Sequence, residues 1–259
     1  MLIKQILPTT RHALRLLFPR NCPSCRKESQ ADSAANPFDG VWDDDGWCRD
    51  CRVQIDPQNS DRCSSCAAVL NQPSPYSQGC ASCYRQDLPF ELAISVHNYK
   101  GLLQHLVITS KNTGDETLMA QLGRLLGQQV KKHPQTADAD LMVPIPTHWK
   151  RRFLSKGFHA GSLIAQNVEK MTGIPQSQSI LRAVKPTLKQ GTLSRTARMK
   201  NVHHAFVCKY PEKVKHRTVL LIDDVMTSGA TMIEAARVLK RAGAKKVIAA
   251  VIARATSVD

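Results

Sequence analysis

The chain has 259 residues, with 36 Lys or Arg against 21 Asp or Glu and a formal net charge of +15. That length suffices for one sizeable domain and a small one, and no apolar run approaches the roughly 20 residues that span a bilayer. A membrane-spanning protein is therefore not expected, and a strongly basic chain points to anionic partners.

The first 19 residues are apolar and basic. Leu2, Ile3, Ile6, Leu7, Leu14, Leu16 and Leu17 are interrupted by Lys4, Pro8, Arg11 and Arg15. No small-residue cleavage site follows, so the segment reads not as a secretory leader but as an amphipathic helix docked on the protein, with a membrane-surface helix as the lesser alternative. A cytoplasmic location is expected.

Residues 20–87 carry eight of the nine cysteines in four C-x-x-C pairs: Cys22/Cys25, Cys48/Cys51, Cys63/Cys66 and Cys80/Cys83. The gaps between pairs are 22, 11 and 13 residues. In a chain without an export signal this pattern favours metal over disulfides. Each pair can supply two thiolates to a tetrahedral Zn²⁺, so two structural Cys₄ zinc ribbons are expected. Sequential and interleaved pairing both fit the spacing. Four thiolates close the coordination sphere, and the metal replaces a core that this polar segment cannot build. Gln30–Gly46, with Asp43, Asp44 and Asp45, reads as a loop between the first two pairs. The ninth cysteine, Cys208, reads as a small buried hydrophobe.

From residue 88 to 259 the composition becomes that of an α/β domain. Leu92–Tyr99 has strand character, Gly101–Ile108 is helical, and Lys111–Asp115 reads as a polar turn. Leu118, Leu122, Leu125, Leu126 and Val130 share one helical face, and His133–Asp140 links to the next strand. That strand, Leu141–Pro146, ends in an X-Pro turn. Lys150, Arg151 and Arg152 follow, where a basic cluster can meet a pyrophosphate. A helix is expected over Ala160–Met171.

The basic excess is concentrated. From Leu141 to Arg217, 15 Lys or Arg face two acids, Glu169 and Glu212, giving that segment +13. Such a field suits nucleic acid or a phosphate-rich ligand. The few aromatics there (Trp149, Phe153, Phe158, Phe206, Tyr210) do not make an obvious base-stacking platform. Leu181–Phe206 has no strong periodicity and reads as a lid or a disordered loop.

Residues 217–231 are the most informative. Val219, Leu220, Leu221 and Ile222 form a short apolar run typical of a buried parallel strand. Asp223 and Asp224 follow directly. Thr227, Ser228, Gly229, Ala230 and Thr231 then lead into a helix on which Met232, Ala235, Ala236 and Leu239 share a face, with Gly243 as its stop. Ligands sit at the carboxyl ends of strands in open α/β sheets. Small residues at a helix start admit a phosphate to its unpaired N–H groups, and the hydroxyls add donors. Two carboxylates beside such a cradle suit a sugar phosphate, holding its hydroxyls directly or across a divalent metal. Lys245–Ala253 reads as a second buried parallel strand.

The 13 residues Val219–Thr231 resemble the phosphoribosyl-pyrophosphate (PRPP) loop of type I phosphoribosyltransferases. Other features extend the likeness. They are Leu17–Cys22 before the first cysteine pair, Val143–Pro146 with the basic cluster, Lys156-Gly157-Phe158, and the set Thr187, Gln190, Leu193, Arg198, Asn201, Ala205 and Phe206. Lys111 and Gly114 match a Lys-aromatic-x-Gly turn. Together these resemble the ComF/GntX family, in which a zinc-ribbon module precedes a type I phosphoribosyltransferase domain. The chain departs from the family pattern at His159-Ala160 and at Asn112.

The resemblance implies a type I phosphoribosyltransferase fold, a mostly parallel sheet flanked by helices. It implies PRPP or a similar phosphorylated sugar as ligand, Mg²⁺ with it, and an association with DNA uptake in natural transformation. Asp223 and Asp224 would hold the ribose hydroxyls and Thr227–Thr231 the 5′-phosphate. Lys150–Arg152, with Arg195 or Arg198 from a closing loop, would clamp the pyrophosphate. Partners from the DNA-uptake machinery and a homodimer are compatible with this reading. The competing reading is a non-catalytic, zinc-stabilised single-stranded DNA binder that uses the basic 141–217 surface.

Overall fold

The computed structural model describes residues 21–27, 46–55, 62–70, 74, 76, 79–84, 86–147, 159–186 and 195–255. The N-terminal segment 1–19, most of the Gln30–Gly46 insert and Lys150–Phe158 lie outside these residues, as do Thr187, Gln190 and Leu193. The chain divides into two compact units, one ending at Pro57 and one starting at Gln58. Composition alone puts the boundary at residue 87. The second pair of knuckles instead packs within the larger unit, for reasons visible at Arg62 below.

The smaller unit contains a turn at Cys22–Lys27 and the helix α1, Arg49–Ile55. Cys22 N–H donates to Lys27 O at 2.9 Å and Arg26 N–H to Cys22 O at 3.0 Å, closing the knuckle loop.

The larger unit is built on a four-stranded sheet: β1 Leu92–Asn98, β2 Leu141–Pro144, β5 Thr218–Met226 and β6 Lys246–Arg254. Their order is β1-β6-β5-β2 and every pairing is parallel. Nearly every residue of these strands is buried, which is why their apolar runs are continuous and do not alternate. A small antiparallel pair, β3 Leu181–Ala183 with β4 Phe206–Cys208, stands apart from it.

Helix α2, Gly101–Thr113, extends through the stretch that reads as a polar turn and stops only at Gly114, where φ is 69°. Polar side chains on an exposed helix face give the same local signature as a turn. Asp115 caps α3, Glu116–Lys132, by accepting from Leu118 N–H at 2.9 Å. Helix α4, Ala160–Thr172, lies against α3. A Cβ on Gly123 would sit 3.1 Å from the Ile164 Cα, tighter than an ordinary contact, so a side chain there would push the two helices apart. Helices α5, Arg195–Val202, and α6, Ala230–Arg241, pack on each other, and α6 covers β5 and β6. Its Met232, Ile233, Ala235, Ala236 and Leu239 join Val219, Leu221, Val247, Ala249 and Val251 in one core. The expected buried helix face is the observed one.

Three further differences bear on the site. Strand β5 does not end at Ile222 but runs four residues on, through the acidic pair to Met226. The Leu181–Phe206 stretch contains β3 and α5 and is not one irregular segment. Cys208 is only half-buried, in the short strand β4.

Candidate functional site

The acidic pair stands where the sheet loses one neighbour. Strand β2 stops at Pro144, paired with Ile222, because the prolines there cannot continue the ladder. On the other side β6 continues, pairing Asp223 with Val251 and Met226 with Arg254. Among the described residues, Asp223 and Asp224 therefore lie on an extended strand paired along one edge only, at its carboxyl end. That is the position at which open α/β sheets bind ligands.

After Met226 the chain turns through Thr227 and Ser228 to Gly229, whose φ of 80° is left-handed and disfavours any residue with a Cβ. Helix α6 starts at the next residue. Ser228 Oγ accepts from Ala230 N–H at 3.4 Å, and Ile233 N–H makes the first regular bond, to Gly229 O at 2.8 Å. The hydroxyls of Thr227, Ser228 and Thr231 thus surround the positive end of a 12-residue helix.

Among the described residues one cation pairs with these carboxylates. Lys111 Nζ, from α2, lies 2.7 Å from Asp224 Oδ2. Burial works against the Lys111 charge, but Asp224 outweighs it and holds the ammonium above its ordinary range. Asp223 is affected the other way. Burial first, and the Asp224 charge second, push its carboxyl up to about 7. Asp223 Oδ1 accepts from Asp224 N–H at 2.9 Å, which offsets only part of this. The site thus holds one carboxylate paired with Lys111 and one whose ionisation is opposed by burial and by its charged neighbour. Two oxygen-donor carboxylates side by side suit a hard divalent cation or vicinal hydroxyls.

Arg195 and Arg198 both fall on α5, which packs against α6. The Arg195 side chain lies outside the described residues. Arg198 Nε is buried without a hydrogen-bond partner among the described residues, and no described contact joins it to the carboxylates. Lys150, Arg151 and Arg152 lie outside the described residues.

The eight cysteines form two groups, Cys22–Cys25–Cys48–Cys51 and Cys63–Cys66–Cys80–Cys83, with the ligand atoms of each group within 4.8 Å of one another. The pairing is sequential, and the interleaved alternative is excluded. Sulfur separations are 3.7 Å for Cys25–Cys48, 3.6 Å for Cys63–Cys83, 3.7 Å for Cys66–Cys80 and 3.9 Å for Cys80–Cys83. These are far longer than a disulfide. A tetrahedron with Zn–S bonds of about 2.3 Å has edges of about 3.8 Å, so the residues present fit a thiolate-bound Zn²⁺. Both groups offer four sulfurs and leave no open position, so the metal would hold the knuckles together and take no part in chemistry.

Two features of the site are not legible in the sequence. Lys111 was placeable in a turn but not opposite Asp224, because the pair is 113 positions apart in the chain. Arg254 ends the apolar strand β6 and is buried; it donates from Nε to Cys66 O at 3.0 Å and from Nη1 to Met226 O at 2.9 Å. A lone arginine closing an apolar strand was the available signal. The second cysteine group is also docked by Arg62, which donates to Ser95 O at 2.8 Å and to Ser95 Oγ at 2.9 Å.

Residues 156–257 match the phosphoribosyl transferase domain. The chain is 30% identical over 216 residues to DNA utilization protein YhgH of Salmonella typhimurium, covering 78% of this chain and 94% of that protein. It is 27% identical over 214 residues to competence protein F of Haemophilus influenzae, covering 81% and 91%. Among solved structures, adenine phosphoribosyltransferase from Leishmania tarentolae matches at 16% identity with a TM-score of 0.35, covering 56% of this chain and 60% of that one. With a parallel sheet flanked by helices, a phosphoribosyl transferase domain and two Cys₄ groups, the chain belongs to the family of DNA utilization protein YhgH and competence protein F.

Proposed function

We propose that the crevice beside β5 binds PRPP, and that the protein is a phosphoribosyltransferase-like member of the DNA-utilisation and competence family. One observation carries this reading. The acidic pair, flanked by a cation, stands at a strand end and leads through Thr227–Thr231 into the start of α6. In this reading Asp223 and Asp224 accept hydrogen bonds from the ribose hydroxyls. The N–H groups and hydroxyls of Thr227, Ser228, Gly229, Ala230 and Thr231 donate to the 5′-phosphate.

Lys150, Arg151 and Arg152, with Arg195 or Arg198, neutralise the pyrophosphate. Mg²⁺ arriving with PRPP supplies charge neutralisation at the leaving group. The reaction such a site supports is displacement of pyrophosphate from the anomeric carbon by an acceptor nitrogen. A C–N bond forms, a C–O bond breaks, and the nitrogen gives up its proton. The protein's share is positioning and electrostatic stabilisation, with no covalent intermediate. The thiol-rich metal groups suit a reducing, cytoplasmic setting.

The test is calorimetric titration of the zinc-loaded protein with PRPP, with and without Mg²⁺, beside an Asp223→Asn/Asp224→Asn double variant. Micromolar binding that the variant loses supports the reading; binding that the variant retains, or none in either protein, refutes it. A second reading, single-stranded DNA binding, is favoured by one local feature. Lys209 and Lys213 lie 5.5 and 4.6 Å from the Tyr210 ring centroid, a cation-flanked aromatic. Steep salt dependence of DNA binding, unaffected by the Asp223/Asp224 substitutions, distinguishes it.

A further inference from the structure

Arg254 is a guanidinium with only 4% of its surface exposed. No carboxylate of a described residue pairs with it. Its partners are backbone carbonyls, and they come from two different places. Nε donates to Cys66 O, in the second cysteine group, at 3.0 Å. Nη1 donates to Met226 O, at the end of β5, at 2.9 Å, and also to Thr227 O, at the start of the loop, and to its own neighbour Ala255 O. One rigid planar group therefore joins the knuckle to the loop.

The knuckle end of this bridge is itself fixed. Ala67 holds a left-handed φ of 57° directly after Cys66. Cys63 N–H donates to Ala68 O at 2.8 Å and Ala67 N–H to Cys63 O at 2.9 Å. The turn that carries Cys66 O is thus wrapped around sulfurs that a metal would hold. A buried arginine is tolerated only while its acceptors stay in place. If the knuckle relaxes, Arg254 loses an acceptor and its hold on Met226 and Thr227 loosens.

We propose that the second cysteine group positions the phosphate loop through Arg254, so that the state of this metal site sets the order of Met226–Thr231 and the affinity for the phosphorylated ligand. Arg254 is a positioning residue here and touches no ligand. The affinity half rests on the PRPP reading above; the loop-order half does not.

The experiment uses the full chain loaded with zinc. Amide hydrogen exchange is measured over Met226–Thr231 and, as a folding control, over Val219–Ile222. Arg254→Gln should keep two zinc equivalents and the control protection, while the loop exchanges at least about tenfold faster. Cys80→Ser, which removes one thiolate of the second group and weakens its metal site, should loosen the loop likewise, whereas Cys25→Ser, at the first group, should leave the loop unchanged. Calorimetry with PRPP should then show weaker binding for Arg254→Gln and Cys80→Ser only. Unchanged loop exchange in Arg254→Gln overturns the proposal even if Cys80→Ser fails to fold. Equal loop loosening by Cys25→Ser also overturns it. Absence of PRPP binding in the unaltered protein refutes the PRPP reading and leaves the exchange result to decide the coupling.

Discussion

Replacing Asp223 with Asn removes a charge that the free protein holds at a cost. The Asp223 carboxyl moves from 3.8 up to about 7 in the folded chain, through burial and the adjacent Asp224. At ~1.4 kcal/mol per pH unit, that displacement sets a ceiling of about 4 kcal/mol. Asp223 is half-buried, so solvent screening reduces the expected effect to about 1–3 kcal/mol. The sign follows from proton binding. Between pH 4 and 7 the folded state binds more protons than the unfolded chain, so stability falls as pH rises through that window and is flat above it. An Asn retains the oxygen that accepts from Asp224 N–H and carries no charge. Urea unfolding of the zinc-loaded proteins at pH 4, 5, 6, 7 and 8 should therefore show the variant gaining on the unaltered protein across the window, and more stable at pH 8. A variant as stable as the unaltered protein at pH 8, or less so, would refute the assigned electrostatics. The same variant should bind PRPP poorly, a trade of function for stability.

Other consequences can be checked independently. Lys111→Met removes the counter-charge of Asp224; the midpoint of the Asp223 titration should rise, and the stability cost should stay below about 1 kcal/mol because the lysine is half-exposed. Carbon-detected NMR of the carboxyl groups reads the midpoint directly. Metal analysis should give two zinc ions per chain, and zinc addition should release protons, since burial pushes the Cys48 thiol up to about 12 and coordination requires the thiolate. The apparent zinc affinity should accordingly rise with pH. Gly123→Val should destabilise the protein by ~1–3 kcal/mol in chemical denaturation, because its side chain would meet the Ile164 backbone.

What the sequence disclosed follows from the kind of signal involved. Continuous apolar runs at Val219–Ile222 and Val247–Ala253 marked strands buried on both faces, and the 3.6-residue periodicity after Gly229 marked α6. Identical C-x-x-C spacing marked the metal groups, although their pairing needed the fold. Local composition misled where polar residues sit on regular elements. Lys111–Thr113 is helical, and Asp223–Met226 continues a strand because β6 pairs with it beyond the apolar run. Contacts between distant positions were illegible for a simple reason: nothing local to Lys111 specifies Asp224, and nothing local to Arg254 specifies Cys66. Composition likewise does not reveal the tertiary hydrogen bonds by which Arg62 docks the second cysteine group on Ser95.

The central claim is that the turn between β5 and α6 holds the 5′-phosphate of PRPP beside the acidic pair. Backbone amide NMR of the zinc-loaded protein during titration with Mg²⁺ and PRPP tests it most directly. Saturable shifts are expected on Asp223, Asp224 and Thr227–Met232, with inorganic phosphate reproducing those of the loop alone. Saturable shifts confined to other surfaces, with these residues unmoved, would contradict it.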